Sequence, residues 1–433
     1  MRKIVLCSLC KEPEYEDELR SFGGSEHCRA CHKNIFEDMV RDLYRGDDLD
    51  GPRPSYREYL EQQPPVSGNI RIMTNRMDLG FKMHQEEYEE AAVRVLRSGW
   101  YILGKEVENF EELFAAFHGD DFSCAGVANG LDALTLGVRA LGIGEGDEVI
   151  VQGNTYIASV MGISINGATP VFVEPDEHYQ IDVDKIEAAI TPRTKAIMVV
   201  HLYGLICDMD KVAEICKKHS LKLIEDCAQA HAAEWNGKFA GTFGDVGCFS
   251  FYPSKNMGAF GDAGACISRD PELIKKIKVL RNYGSGRRYY NEVVGVNSRL
   301  DEMQAALLSV RLKYLDEITE ERERIAAVYD GKITNPDIIK PEQIPGGNAV
   351  YHQYVIRSSR RDELIEYLKD NYIGTIIHYP VPPHLQEAYA YLGYKKGDLP
   401  ISEKYADEVL SLPIYNGMTR AEQNYIIDVL NAF

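Results

Sequence analysis

Residues 221–265 read LKLIEDCAQAHAAEWNGKFAGTFGDVGCFSFYPSKNMGAFGDAGA, and they contain the pattern that is most informative about the fold. It begins with a short apolar strand, Lys222–Ile224, that leads directly into two acidic residues. Short apolar strands of this kind alternate with helices along the neighbouring chain. That alternation is typical of a buried, mainly parallel sheet with helices on both faces. Ligands bind beyond the carboxyl ends of strands in such α/β folds, so the residues after each strand are candidates for a site.

On both sides of residues 221–265, the pattern of apolar residues predicts alternating helices and strands. The predicted helices are 85–97, 128–140, 156–165, 183–190 and 209–218, and the predicted strands are 148–151, 170–173 and 195–200. A long helix is predicted from Ser298 to about Asp330, as a bridge between domains. The remainder mixes strands (352–356, 375–378) with helices (362–369, 402–410, 420–430), which suits a smaller α+β domain.

Lys255 and Asp226 are the two residues of the opening stretch that could carry chemistry. Lys255 follows an apolar strand and precedes three glycines, and a desolvated lysine can act as a nucleophile that forms a Schiff base. Taken alone, it is better explained as a lysine at a strand end whose charged group reaches water. Asp226 ends its strand, where a buried carboxylate needs a cationic partner such as a protonated pyridine nitrogen. Glu225 competes for that role, but strand alternation turns it to the opposite face.

Two further candidate sites lie at the start of predicted helices. Gly130 lies in ANGLDA (128–133) at the start of a helix, where free N–H groups and the helix dipole can bind a phosphate. Asn129 and Asp132 there could instead form only a helix cap. Tyr156 begins the next helix and could either stack on a planar cofactor or simply pack.

Five stretches carry a family resemblance: SGWYILGKEVENFE (98–111), NTYIASVMGISINGATPVFVEPD (154–176), residues 224–265, RNYGS with VGVNSRLDEMQAALL (281–308), and IHYPVPPHLQ (377–386). From about Met77 to its end, the chain resembles the DegT/DnrJ/EryC1/StrS family of sugar aminotransferases. The resemblance implies an aspartate-aminotransferase-like fold (pyridoxal-phosphate fold type I), with a large α/β domain and a smaller α+β C-terminal domain. It does not extend over residues 1–70.

The resemblance also implies roles around a pyridoxal 5'-phosphate cofactor. Lys255 is expected to hold the cofactor covalently and later to shuttle protons. Asp226 is expected to pair with the pyridine nitrogen, Gln229 to bond the ring hydroxyl, and Tyr156 to stack on the ring.

The cofactor phosphate has its own implied ligands. These are the N–H groups of Gly130 and Leu131, the side chain of Ser250, and Asn297 of a second subunit. The active unit is therefore expected to be a homodimer with shared active sites. Many family members carry Thr or Ser at the position of Leu131, so a hydroxyl donor is lost here.

The activity implied by the resemblance is transfer of the amino group of L-glutamate to C3 of a nucleotide-linked keto-sugar. The dTDP-3-keto-6-deoxyhexoses are the first choice; UDP-linked 3-keto-uronates and C4 amination of a 4-keto-sugar are alternatives. His378 and Tyr379 match a motif near the sugar, and Lys255 argues against the dehydrating branch of the family, which has histidine there. Two anionic partners require local cations, for which the candidates are Arg281, Arg287, Arg288 and Arg299.

The first 31 residues contain two Cys-x-x-Cys pairs separated by 17 residues, a spacing that suits a four-cysteine zinc site. The predicted ligands are Cys7, Cys10, Cys28 and Cys31. Disulfides are disfavoured because the start of the chain has no pattern of an export signal and a cytoplasmic location is expected. Such a module offers a surface for a protein partner, so a regulatory or scaffolding protein is the hypothesis from another class.

Composition and boundaries complete the prediction. The 433 residues carry a formal charge of −19, which argues against nucleic acid or an anionic membrane as the main partner. The predicted domains are a zinc-ribbon-like module (1–45), a linker (46–76) with one helical turn at Tyr56–Gln62, a cofactor-binding domain (77–325) and a small C-terminal domain (326–433).

Overall fold

A computed structural model describes residues 4–6, 13–15, 20–22, 25–27, 56–63, 65 and 68–433. The chain divides into two compact units, Met1–Gln63 and Pro64–Phe433, which we describe separately. In the described residues, no helix is both long enough and apolar enough to cross a membrane.

The first unit contains two short antiparallel strand pairs and a helix. Strands β1 (Ile4–Leu6) and β2 (Pro13–Tyr15) pair, as do β3 (Arg20–Phe22) and β4 (Ser25–His27). Helix α1 (Tyr56–Gln62) confirms the helical turn predicted in the linker. The four predicted zinc ligands, Cys7, Cys10, Cys28 and Cys31, lie outside the described residues.

The second unit contains a seven-stranded sheet. Its strands, in chain order, are β5 (Ser123–Val127), β6 (Glu148–Gln152), β7 (Thr169–Val173), β8 (Thr194–Val200), β9 (Lys222–Asp226), β12 (Val246–Ser250) and β13 (Gly264–Ser268), with the short pair β10 (Glu234–Trp235) and β11 (Lys238–Phe239) between them in sequence. The spatial order is β5-β13-β12-β9-β8-β6-β7. Only β13 runs against its neighbours within this sheet, so the predicted mainly parallel α/β sheet is confirmed.

Helices cover this sheet and build the rest of the unit. They are α2 (Met77–Lys82), α3 (Gln85–Ser98), α4 (Lys105–His118), α5 (Gly130–Ala140), α6 (Ile157–Ser164), α7 (Val183–Ile186), α8 (Met209–His219), α9 (Pro271–Leu280), α10 (Glu302–Leu312), α11 (Leu315–Lys332), α12 (Arg361–Asp370), α13 (Pro400–Glu408) and α14 (Arg420–Ala432). Short 3₁₀ helices span Glu187–Ala189, Leu202–Gly204, Pro383–Leu385 and Glu387–Leu392. The remaining strands are β14 (Ser285–Arg287), β15 (Tyr290–Asn291), β16 (Tyr354–Arg357) and β17 (Val409–Leu412).

The prediction of one continuous helix from Ser298 to about Asp330 is wrong. The segment forms two helices, α10 and α11, which are separated at Tyr314. The Tyr314 ring stacks on His84 at a centroid distance of 3.4 Å, and its hydroxyl bonds the Glu87 carboxylate. These contacts join residues far apart in sequence, so the helical spacing of the segment gives no sign of the break.

Two elements of the C-terminal part also differ from prediction. Residues 375–378 form no strand, because only Ile376 bridges to Ser411. The predicted helix 402–410 ends at Glu408, and the chain continues as β17, which pairs with β16. Residues 71–74, which the sequence places in the linker, belong to the second unit, where Ile72 lies beside Ile373 in parallel register.

Six strands of the sheet share one direction, so their carboxyl ends meet at one edge. Asp226 ends β9 and Ser250 ends β12, while the residues after β5 and β6 lead to Gly130 and Tyr156. The fold therefore gathers the chemically interesting residues at the edge where α/β sheets bind ligands.

Candidate active site

Lys255 lies in the turn that follows β12. Its backbone N–H donates to the carbonyl oxygen of Tyr252 at 2.8 Å, and its side chain is half-buried. Burial lowers the pKa of the Lys255 amine to about 8, although the nearby charge of Asp226 opposes the shift. A substantial fraction of the amine is therefore neutral near physiological pH, as a nucleophile or base requires.

Asp226 is the charged partner on the same face. Only 4% of the residue is exposed, and burial raises the pKa of its carboxyl group. One carboxylate oxygen accepts from the Ser159 hydroxyl at 2.7 Å, and the other accepts from the Ala228 N–H at 3.1 Å. These bonds fix the orientation of a carboxylate whose burial would be stabilised further by a cation.

Glu225 occupies the opposite face of β9, as strand alternation predicts. Its carboxylate accepts three backbone N–H groups, from Gly241 at 2.7 Å, Phe243 at 2.8 Å and Gly244 at 2.7 Å. Glu225 therefore fixes the loop before β12, and it does not compete with Asp226 for a ligand.

A buried trio beneath this face contains possible metal ligands, His201, Glu225 and Cys227, whose ligand atoms lie within 4.8 Å of one another. Those atoms already have partners: the His201 Nε2 is 3.2 Å from Glu225, and the Cys227 thiol bonds a backbone carbonyl oxygen at 3.7 Å. The trio is explained by these contacts, and we assign no metal to it.

Gln229 and two tyrosines form a network beside Asp226. The side-chain oxygen of Gln229 accepts from the Tyr203 N–H at 2.6 Å, and its amide donates to the Tyr379 hydroxyl at 3.0 Å. The Tyr379 ring lies 5.0 Å from that of Tyr156, which is half exposed. An amide has a second N–H group, so Gln229 can still donate to a ligand.

The start of α5 has the geometry of a phosphate site. Asn129 caps the helix by accepting from the Asp132 N–H at 2.8 Å, so the predicted cap is present. The N–H groups of Gly130 and Leu131 belong to the first helical turn, where a helix supplies no acceptors of its own. A side chain at Gly130 would place its Cβ 2.5 Å from the Cβ of Ser250, so only glycine permits this close approach.

His378 lies in the segment between α12 and β17. Burial lowers the pKa of its imidazole to about 4, with a smaller contribution from the Lys255 charge, so the ring is neutral at pH 7. Its Nδ1 lies 2.8 Å from the Ser411 hydroxyl, and its backbone carbonyl oxygen accepts from the Tyr203 hydroxyl. His378 is thus tied to the same network that holds Gln229.

Some predicted residues do not join this group within one chain. Asn297 is exposed and bridges to Asn282. Arg281 is buried, pairs with Glu111 and donates to the Gly126 carbonyl oxygen, so its prediction as a substrate cation is wrong. Arg287 and Arg288 are exposed and lie over the rings of Tyr290 and Tyr289, and Arg299 donates to the side chain of Asn282 at 3.1 Å.

The arrangement fits pyridoxal phosphate. It combines a partly neutral lysine amine, a buried carboxylate for a ring nitrogen, a helix start that only glycine can form, and an aromatic ring beside them. Sequence reasoning missed Ser159, the hydroxyl that orients Asp226. No motif marks it, because its role depends on α6 lying against the end of β9.

A family model, the DegT/DnrJ/EryC1/StrS aminotransferase family, matches residues 82–431. Among curated proteins, the chain is 54% identical over 351 residues to dTDP-3-amino-3,6-dideoxy-alpha-D-galactopyranose transaminase of Aneurinibacillus thermoaerophilus, covering 81% of this chain and 96% of that one. It is 48% identical over 346 residues to dTDP-3-amino-3,4,6-trideoxy-alpha-D-glucose transaminase of Streptomyces venezuelae, covering 79% and 91%.

Solved structures show the same likeness. S. venezuelae DesV in complex with a ketimine intermediate has a TM-score of 0.82 and 46% identity, covering 84% of this chain and 98% of that one. The PLP form of Spr1654 from Streptococcus pneumoniae, a sugar aminotransferase by its description, has a TM-score of 0.76 and 26% identity, covering 80% and 95%.

Proposed function

Because this chain belongs to the DegT/DnrJ/EryC1/StrS aminotransferase family, we propose that it transfers the amino group of L-glutamate to C3 of a nucleotide-linked 3-keto-sugar, specifically a dTDP-3-keto-6-deoxyhexose. The catalytic role is supported by one observation: Lys255 and Asp226 lie together at one sheet edge. Burial lowers the pKa of Lys255 and raises the pKa of Asp226. Such perturbed pairs are what an active site requires.

Pyridoxal phosphate, when bound, supplies an electron sink for the carbanion formed at the amino-bearing carbon. Lys255 Nζ would bind the cofactor covalently and carry the proton between donor, cofactor and sugar carbon. Asp226 would hold the proton of the ring nitrogen, with Ser159 keeping its carboxylate in place. Gln229 would donate to the ring hydroxyl, and Tyr156 would cover the ring.

The remaining site residues would position the phosphate and the sugar. The N–H groups of Gly130 and Leu131, with Ser250, would bind the phosphate at the start of α5. His378 is neutral at pH 7 and Tyr379 bonds Gln229, so both are suited to contact an uncharged sugar ring rather than an anion.

Assignment of the sugar rests on the named activities of the relatives. Both curated relatives cited above are named for 3-amino sugars linked to dTDP. A third, 41% identical over 332 residues, is UDP-2-acetamido-2-deoxy-3-oxo-D-glucuronate aminotransferase of Pseudomonas aeruginosa, which keeps a UDP-linked 3-keto-uronate as the second candidate.

A substrate panel tests the assignment. Purified enzyme with glutamate would be offered dTDP-linked 3-keto and 4-keto 6-deoxyhexoses and a UDP-linked 3-keto-uronate, and amination would be followed by mass spectrometry. We expect the highest kcat/KM with the dTDP-linked 3-keto-sugar. A preference for a 4-keto-sugar would overturn the C3 assignment. A protein that stays colourless with added pyridoxal phosphate would favour the regulatory or scaffolding alternative.

We also propose that the active unit is a homodimer in which Asn297 binds the phosphate in the partner's site. Asn297 is exposed in a segment whose apolar side chains are also exposed, among them Tyr289 at 82% and Val294 at 89%. Exposed apolar clusters of this kind mark interaction surfaces. Mixing inactive Lys255→Ala and Asn297→Ala variants should restore activity through hybrid dimers, and no restoration would contradict a shared site.

We further propose that Cys7, Cys10, Cys28 and Cys31 form a zinc site. The chain positions support it: the first Cys pair lies between paired strands β1 and β2, and the second follows β4 directly. Metal analysis of anaerobically purified protein should find about one zinc per chain. Deleting residues 1–63 should leave amination within about twofold, since four cysteine ligands fill a zinc site and leave it structural.

A further inference from the structure

A second feature of the Lys255 region is a cavity of about 500 Å³. Its wall includes Lys255 and the turn around it, residues 75–78 with Gly80 and Phe81, and two arginines on successive helices, Arg311 and Arg322. The amino donor is an anion that must reach Lys255, so the charges of this wall decide what can enter.

The wall is strongly cationic. Its one carboxylate among the described residues, Asp78, accepts two bonds from Arg76, both at 2.8 Å. That pair neutralises itself. The charges of Lys255, Arg311 and Arg322 are left without a carboxylate in the wall, and a cavity lined in this way attracts an anion.

Arg322 is the most buried of these cations, with only 3% of the residue exposed. Its Nε donates to the side-chain oxygen of Asn416 at 3.1 Å, and its Nη1 donates to backbone carbonyl oxygens, of which Tyr351 is nearest at 3.0 Å. Within the described part of the chain, these bonds use neutral acceptors and leave Nη2 unused. A buried guanidinium held only by neutral oxygens is stabilised by an anionic ligand.

Arg311 reaches the same cavity from α10. Its Nε donates to the carbonyl oxygen of Asn256 at 3.0 Å, and its terminal nitrogens lie beside Gly80, where an added Cβ would be 3.7 Å from Nη1. Burial lowers the pKa of Arg322 to about 10; repulsion by the Arg311 charge adds to this shift, and the Glu321 carboxylate opposes it. Two like charges directed at one space are what a ligand with two carboxylates would relieve.

We propose that this cavity is the subsite for a dicarboxylic amino donor, in which Arg322 and Arg311 bind the two carboxylates of glutamate and present its amino group to Lys255. This inference rests on the proposed function, since it deepens the assignment of glutamate as donor. It gives the role of substrate cation to two residues outside the four candidates named from the sequence, which were Arg281, Arg287, Arg288 and Arg299.

Measuring the two half-reactions separately shows whether a variant affects only the donor subsite or the whole active site. Donor reaction with the yellow enzyme is followed by absorbance, and sugar reaction with the aminated enzyme is followed by recovery of the colour. For Arg322→Lys and Arg311→Gln we expect the KM for glutamate to rise about 10- to 100-fold, the usual effect of losing a bond to a charged group. The KM for the keto-sugar should change less than about threefold.

Binding of glutarate, an unreactive dicarboxylate, gives a second readout by calorimetry. The wild-type enzyme should bind it, both variants should bind it at least about tenfold more weakly, and the monoamide of glutarate should bind weakly to all three. Arg324→Gln is the matched control, since Arg324 is exposed on α11 two residues from Arg322, and it should match the wild type. Thermal melting shows whether each variant is folded. If Arg322→Lys does not fold, the proposal is tested with Arg311→Gln alone.

The outcomes separate this inference from the proposed function. If folded variants lose both half-reactions equally, or retain wild-type KM for glutamate and affinity for glutarate, the subsite is wrong although the aminotransferase stands. If the wild-type enzyme aminates the sugar from another donor and does not bind glutarate, the donor assignment fails too. If it aminates no sugar at all, the proposed function fails first.

Discussion

The two faces of the sheet at the end of β9 carry neighbouring buried acids with different surroundings. Glu225 is surrounded by backbone N–H groups of one loop, so its charge is fully used in holding the chain. Asp226 accepts two bonds and lies near the amine of Lys255, and we call this side of the sheet the open face. Burial alone therefore does not mark a functional acid; what marks it is a carboxylate whose partners are incomplete without a ligand.

Removing the amine on the open face should have the largest effect. Lys255→Ala should lower kcat by at least about 10³-fold, since both covalent attachment and proton transfer are lost. The purified variant should lack the absorbance of covalently held cofactor and should not retain cofactor after borohydride treatment. Lys195→Ala, at an exposed position on β8, should behave as wild type. Comparable activity of Lys255→Ala and Lys195→Ala would contradict the catalytic role of Lys255.

Replacing each of the two acids by its amide should have different effects: loss of activity at Asp226 and loss of stability at Glu225. Asp226→Asn should lower kcat by about 10²- to 10³-fold with little change in melting temperature, because a neutral amide cannot hold a protonated ring nitrogen. Glu225→Gln should instead lower the free energy of unfolding by about 2–4 kcal/mol, because the NH₂ group of glutamine would face backbone N–H groups that now donate to the Glu225 carboxylate. The measurements are steady-state kinetics and denaturant unfolding. The reverse pattern would reverse the two roles.

The pH dependence of cofactor capture probes the open face directly. Only the neutral amine is a nucleophile, so capture of pyridoxal phosphate by cofactor-free protein should rise about tenfold per pH unit and level off above about 8, the lowered pKa of Lys255. Stopped-flow absorbance measures it. A rise that continues to pH 10 would mean that Lys255 is not desolvated.

The smallest effect is expected for the residue that only orients Asp226. Ser159→Ala removes a hydroxyl bonded to its carboxylate at 2.7 Å and should lower kcat about 3- to 10-fold, as expected for one hydrogen bond. It should also raise the pKa of Asp226 further, since that bond favours the charged form. Ser164→Ala on the same helix is the control. An unchanged rate would show that Ala228 suffices to orient the carboxylate.

The sequence was informative wherever a residue lies next to a regular element. Strand alternation separated Glu225 from Asp226, and the position of Gly130 before a helix indicated an anion site that the close approach of Ser250 supports. It failed where position depends on distant contacts. The break at Tyr314, the loss of the strand at 375–378 and the internal pairing of Arg281 are all set by residues more than 30 positions away.

The class of fold, the order of most elements and the identity of the lysine and acid can be read from the chain alone, because apolar periodicity and local motifs act over a few residues. Which cations face the site depends on the packing of distant segments. Arginines are equally charged in sequence, but Arg281 is neutralised by Glu111 from another helix, while Arg311 and Arg322 face a cavity in which the one carboxylate of the described wall is already paired. Charge acts through space, so its use depends on packing that no local pattern records.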